Sequence, residues 1–248
     1  MVETRQGALI GFTEGDTHVW CGIPYAAPPV GQWRWRSPRP PARWDGVRPA
    51  TAFSASSWQS SESCQELGGG DPGQFSEDCL YLNVWSPVAR ADPLPVMVWL
   101  HGGGFTLGAG GLPPYNGRAL AKRGAVVVTI NYRLGHLGFF AHPALEGEEE
   151  RVVHNFALLD QIQALEWVRD NIAAFGGDPE NITVFGESAG ARSVLSLMAS
   201  PLARGLFHKA IVQSGYTLPD TPRGQAMHRG EAIAAHFGLH NATAEQLR

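Results

Sequence analysis

Ser188 lies in Gly186-Glu187-Ser188-Ala189-Gly190, a Gly-x-Ser-x-Gly pattern. The β-branched and aromatic run Ile182-Thr183-Val184-Phe185 precedes it and reads as a buried strand. Ala191-Arg192-Ser193-Val194-Leu195-Ser196-Leu197-Met198 follows and reads as a helix. A serine in a sharp strand-to-helix turn has its hydroxyl pushed out above the sheet, at the positive end of the helix dipole. The flanking glycines let strand and helix approach without Cβ clashes. The chemistry such a serine serves is nucleophilic attack on a carbonyl, with a covalent acyl intermediate. A bare Gly-x-Ser-x-Gly arises readily by chance in a chain with 30 glycines, so the strand and helix around it carry the weight.

Acyl transfer needs a second device, because the attacked carbonyl oxygen becomes an anion. The strand-like run Val96-Met97-Val98-Trp99-Leu100 leads directly into His101-Gly102-Gly103-Gly104-Phe105. A glycine-rich turn of this kind aims backbone N–H groups at developing negative charge. His101 stands at the strand end, where it reads as an anchor of the loop by hydrogen bonds rather than as a catalytic base.

Several elements must position these two motifs. Leu80-Tyr81-Leu82-Asn83-Val84-Trp85 and Ala125-Val126-Val127-Val128-Thr129-Ile130 read as strands, and so does His208-Lys209-Ala210-Ile211-Val212-Gln213-Ser214-Gly215. Helical segments are expected over 118–123 and 155–175, the second with Leu158, Leu159, Ile162, Leu165, Val168 and Ile172 on one face. Strands alternating with helices predict an α/β fold with a mostly parallel central sheet and flanking helices. The first third is rich in proline and tryptophan. Its segment Ile23-Pro24-Tyr25-Ala26-Ala27-Pro28-Pro29-Val30-Gly31 reads as extended and turn-rich, packed onto the body by Trp33, Trp35 and Trp44. No repeat or long linker divides the chain, so residues 1–248 read as a single domain. From about 222 to 248 a helical, cap-like region is expected to begin.

With 248 residues and 44% hydrophobic content the chain can build one sizeable core. The net charge of −4 and the lack of a basic stripe exclude nucleic acid as a partner. No apolar run reaches membrane-spanning length, so no membrane partner is expected. Met1-Val2-Glu3-Thr4-Arg5 opens with charges and has no signal-peptide core, which points to the cytoplasm, with secretion left open if the N-terminus is processed. In the cytoplasm the sequons at Asn181 and Asn241 would be accidental. Glu146, Glu148, Glu149 and Glu150 read as a solvated loop. The three cysteines, Cys21, Cys64 and Cys79, show no metal-ligand spacing, and neither a metal nor an organic cofactor is expected. Cys64 and Cys79 either close a loop over 68–73 or stay reduced, depending on the compartment. Oligomeric state is not legible.

Taken together, the motifs resemble the type-B carboxylesterases, the α/β-hydrolase branch that holds cholinesterases and bacterial para-nitrobenzyl esterases. The resemblance rests on Gly22-Ile23-Pro24-Tyr25-Ala26 with Pro28-Pro29-Val30-Gly31, and on Glu77-Asp78-Cys79-Leu80-Tyr81-Leu82-Asn83. It rests also on the 101–105 loop, Asn131-Tyr132-Arg133-Leu134-Gly135, Asp160-Gln161, Phe175-Gly176-Gly177-Asp178-Pro179, the Ser188 turn and Gly205-Leu206-Phe207-His208. It implies an α/β-hydrolase fold and a carboxylic ester hydrolase acting on small-molecule esters. It implies Ser188 as nucleophile, the N–H groups of Gly103, Gly104 and Ala189 as the oxyanion hole, and Glu187 as a supporting group. It further implies ion pairs of Arg133 with Asp160 and Arg34 with Glu77, and a disulfide between Cys64 and Cys79 as in secreted members.

One departure stands out. The family's triad runs serine, acid, histidine, with the last two far downstream, whereas this chain resembles only about the first half of a member. After Ser188 come His208, His228, His236 and His240, none at the spacing of the base. Thr243-Ala244-Glu245-Gln246 is a capping-box pattern that opens a helix close to Arg248. The expectation is an N-terminal fragment whose sheet stops before the last strands, poor as an esterase by itself. The alternative is a catalytically incomplete, esterase-like chain that serves as a binding module.

Overall fold

The computed structural model describes residues 1–89, 93–147, 154–217 and 221–248. Glu148, Glu149 and Glu150, read above as a solvated loop, lie outside the described residues. Ten strands are described: β1 (Val2–Thr4), β2 (Gly7–Ile10), β3 (Phe12–Glu14), β4 (Thr17–Pro24), β5 (Val47–Pro49), β6 (Tyr81–Pro87), β7 (Leu94–Leu100), β8 (Val126–Ile130), β9 (Gly177–Glu187) and β10 (Lys209–Gln213). The helices are α1 (Ser61–Ser63), α2 (Arg118–Ala121), α3 (Gly135–Phe139), α4 (Phe156–Asn171), α5 (Ala189–Ala199), α6 (Arg223–His236) and α7 (Ala244–Leu247).

Seven strands form the main sheet in the order β10-β9-β7-β8-β6-β4-β3. The half from β10 to β8 is parallel, and the half from β8 to β3 is antiparallel. The expected mostly parallel sheet is therefore the parallel half of a mixed one. The central strand β8 is buried at every residue, as a strand covered on both faces must be. β1, β2 and β5 make a separate small sheet. Thr17–Pro24, not read as a strand from the sequence, pairs with β6 and absorbs a register shift between Trp20 and Ile23, while 25–30 runs on as bends and extended chain, as the turn-rich reading expected. Gly22 takes φ +68 at that shift, and its N–H donates to Asn83 Oδ1 at 3.0 Å.

The helix expected over 155–175 is α4 followed by a tighter turn, Ile172–Phe175, which Gly176 ends at φ +84. Its buried surface is wider than the expected stripe and includes Asp160 and Gln161, while Leu158 and Leu159 are only half-buried. Asp160 is buried because Arg133 meets it. Arg133 donates from Nη2 to Oδ1 at 2.6 Å and from Nε to Oδ2 at 2.8 Å, and its backbone N–H reaches Oδ2 at 3.1 Å. Arg133 Nη1 adds a bond to the Arg36 carbonyl at 3.0 Å. Arg34 grips Glu77 through Nε and Nη2 at 2.6 and 2.5 Å, at a partly exposed position.

The bridge implied for Cys64 and Cys79 is not formed: both are free thiols. Each is buried in a different apolar cluster, Cys64 with Ala109 and Leu112, and Cys79 in the main core. Burial pushes the Cys79 thiol up to about 12.

The last helices pack back onto the body. Ala244, Ile233 and Leu247 join Trp35, Phe140 and Leu145 in one cluster. Gly230 lies so close to the Ala141 carbonyl that any side chain there would overlap it. Thr243 and Gln246 complete both bonds of the capping box. Among the described residues no helix is long and apolar enough to cross a membrane.

Candidate active site

Two neighbouring strands end at the site. β7 and β9 pair in parallel, with Leu100 level with Gly186. Everything after Leu100 and after Gly186 therefore emerges at the same edge of the sheet, side by side. Gly186 and Gly190 permit the contact. A Cβ on Gly190 would fall on the Leu100 carbonyl, and one on Gly186 would stand 2.8 Å from the same oxygen. The strand-to-helix turn is thus wedged against the end of β7, where only hydrogen atoms fit.

Ser188 occupies that turn with φ 53 and ψ −117, a region that L-residues rarely adopt. Its N–H donates to the Gln213 carbonyl of β10 at 3.0 Å, and its carbonyl accepts from Arg192 N–H at 3.0 Å in the first turn of α5. The residue is tied on both sides, which is how strain of this kind persists. Ala189 starts α5, so its N–H belongs to the helix end that lacks intrahelical partners. Glu187 is exposed.

The glycine loop meets this turn directly. A Cβ on Gly102 would lie 2.9 Å from Glu187 Oε2 and 3.3 Å from Ser188 Cβ. Gly103, Gly104 and Phe105 all take positive φ, at 104, 61 and 61. The Gly103 carbonyl accepts from Thr106 and Leu107 N–H at 3.0 and 3.1 Å, and the Phe105 carbonyl accepts from Gly135 N–H at 2.7 Å. The loop is therefore tied by backbone hydrogen bonds, within itself at Gly103 and to Gly135 at Phe105.

His101 is buried under the loop and stacks on Tyr132 at 4.3 Å. Its Nδ1 lies 2.8 Å from the Gly102 carbonyl, and Tyr132 donates from its hydroxyl to the His101 carbonyl at 2.6 Å. Burial lowers the imidazole to about 4, against a small opposing pull from the Gly102 carbonyl. Sequence reasoning did not single out Gln59, Gly108 or Tyr115. Gln59 brackets Gly108, accepting its N–H at 2.7 Å and donating to its carbonyl at 2.9 Å. Burial raises the Tyr115 phenol, and the Glu187 charge adds to that. The ring also packs on Trp99 at 5.1 Å. These residues carry no local pattern and are recognisable only by proximity.

Among the described residues no imidazole hydrogen-bonds the Ser188 side chain. His208 accepts from Ile182 N–H at 3.1 Å, on the β9–β10 side away from the turn, and His228, His236 and His240 are exposed. No cluster of three metal-ligating side chains occurs among the described residues.

The sequence model of the carboxylesterase family matches residues 1–248. The chain is 48% identical to the para-nitrobenzyl esterase of Bacillus subtilis over 248 residues, which is all of this chain and 50% of that one. It is 51% identical to the fumonisin B1 esterase of Sphingopyxis macrogoltabida over 214 residues, 85% of this chain and 39% of that one. Among solved structures, a para-nitrobenzyl esterase superposes with a TM-score of 0.92 at 47% identity, covering 99% of this chain and 50% of its own. A carboxylesterase from Geobacillus stearothermophilus superposes with a TM-score of 0.90 at 47% identity, covering 99% and 50%. The chain thus spans about half the length of the curated relatives it matches.

Proposed function

This chain belongs to the carboxylesterase family, and from that premise we propose that it carries the nucleophile and the oxyanion donors of a carboxylic ester hydrolase working through a serine acyl-enzyme. The observation that supports this best is the contact of the strained Ser188 turn with the glycine loop, Gly102 against Ser188 Cβ. In this reading Ser188 Oγ attacks the ester carbonyl while a histidine accepts its proton. The carbonyl oxygen becomes an anion between the N–H groups of Gly103, Gly104 and Ala189. The alcohol leaves with the proton, and water then releases the acid by the same route. Glu187 supports the site through water or hydrogen bonds. No metal or organic cofactor enters the cycle, and the substrate is a small-molecule carboxylic ester.

The base is assigned to the part of the fold that the twice-longer relatives carry in addition. A second reading, a chain that binds esters without turning them over, draws on the same point, since Ser188 has no described imidazole at its hydroxyl. A fluorophosphonate probe separates the two. It should label Ser188 slowly in 1–248 and much faster when the second half of the Bacillus enzyme is joined downstream, with Ser188→Ala blocking both. A residual acceleration of about 10³–10⁴ over water is typical of a site that has lost a triad member. No labelling in either form would leave the binding reading.

A further inference from the structure

Two peptide groups supply the donors of the glycine loop, and each is aimed by what holds its carbonyl. In a trans peptide the C=O and N–H point in opposite directions. The Gly103–Gly104 carbonyl accepts from Thr106 and Leu107 N–H, so the Gly104 N–H points to the opposite side of that peptide. Among the described residues the Gly102–Gly103 carbonyl accepts no backbone N–H; it meets His101 Nδ1 at 2.8 Å.

A carbonyl oxygen can only accept, so the hydrogen of this bond sits on Nδ1. Nε2 is then a bare lone pair. It is buried with no hydrogen-bond partner among the described residues, which a charged imidazolium with a second N–H could not sustain. The ring cannot drift, because Tyr132 stacks on one face. Gly108 lies against Nδ1 so closely that a Cβ there would overlap it, while standing 2.8 Å from the Gly102 oxygen. Gln59 fixes that glycine from both sides of its backbone.

We propose that His101, held as the neutral Nδ1–H tautomer between Tyr132 and Gly108, is a positioning residue that orients the Gly102–Gly103 peptide and so aims the Gly103 N–H over Ser188. The proposal rests on the oxyanion role given to Gly103 above. It makes the histidine a structural donor to the loop; its buried Nε2 makes no bond to Ser188 Oγ among the described residues, so it is not placed to accept that proton.

The test compares the 248-residue chain with His101→Asn, whose amide N–H can replace Nδ1–H, and His101→Phe, which keeps the stack on Tyr132 without a donor. Nitrogen NMR of the parent imidazole should show a protonated Nδ1 and a bare Nε2 near neutral pH. The Gly103 amide signal should move in the Phe variant and stay in the Asn variant. Fluorophosphonate labelling of Ser188, followed by mass spectrometry, should slow about 10²-fold in the Phe variant and only a few-fold in the Asn variant. An Nε2–H tautomer overturns the proposal, and so does a folded Phe variant that labels at the parental rate. If neither the parent nor its extended form labels, the hydrolase reading fails instead, and the tautomer and Gly103 signals still judge the positioning role.

Discussion

Single atoms decide whether Ser188 and the glycine loop can share one edge. Gly190→Ala would place a methyl group on the Leu100 carbonyl, where backbone stands on both sides and cannot yield. Overpacking of this kind costs about 1–3 kcal/mol or more. Urea unfolding should show that loss, and an unchanged midpoint would mean that α5 shifts freely against β7. His101 makes a pH-dependent contribution. Its folded imidazole lies near 4, against an ordinary value of 6.5, so the unfolded chain binds more protons between those limits. Stability from this group is complete above pH 6.5 and is lost as pH falls toward 4, by roughly 3 kcal/mol in all. Unfolding free energies at pH 7 and 4.5 should therefore differ more in the parent than in His101→Asn.

Elements place the charges that hold the frame. Arg133, at the end of the loop after β8, reaches Asp160 on α4 with both side chains buried, at 2% and 0% exposure. Asp160→Asn leaves the guanidinium without its counter-charge and should cost about 3–5 kcal/mol. The pair of Arg5 with Asp170, 64% exposed at the arginine, is the internal control. Asp170→Asn should change stability by no more than about 1 kcal/mol. Equal losses from the two substitutions would show that burial does not set the worth of these pairs. Both partners of the buried pair sit in motifs visible in the sequence, but neither motif states that the side chains meet.

Across the whole molecule the main sheet is unevenly finished. At one end it is closed off by the short strand β3, and at the other by β10, whose Ile211 and Val212 are exposed. Leu195 and Met198 of α5 are exposed on the neighbouring helix, and Val212 and Leu195 both approach Gly215. An open strand edge bordered by apolar side chains favours association. Purified 1–248 should self-associate in sedimentation velocity as concentration rises, and Val212→Lys should reduce this. A monomer at all concentrations would show that the β10 edge is protected.

Local pattern made the Ser188 turn, the glycine loop and their flanking strands legible, because a strand, a tight turn and a helix each impose their own residue types on a few consecutive positions. The order of those motifs along the chain also sufficed for the α/β class. Pattern did not reach contacts between distant segments. The pairing of β4 with β6 left no mark in the local pattern, and the wide burial of α4 came from neighbours on several sides rather than from its own periodicity. Cys64 and Cys79 looked like partners by analogy, yet they fell into separate clusters, since side-chain direction is set by packing and not by spacing. The orientation of the Gly102–Gly103 peptide depends on His101, Tyr132, Gly108 and Gln59 arriving together from four places in the chain. Such convergence leaves no periodic trace in the sequence, because each residue answers to a neighbour in space.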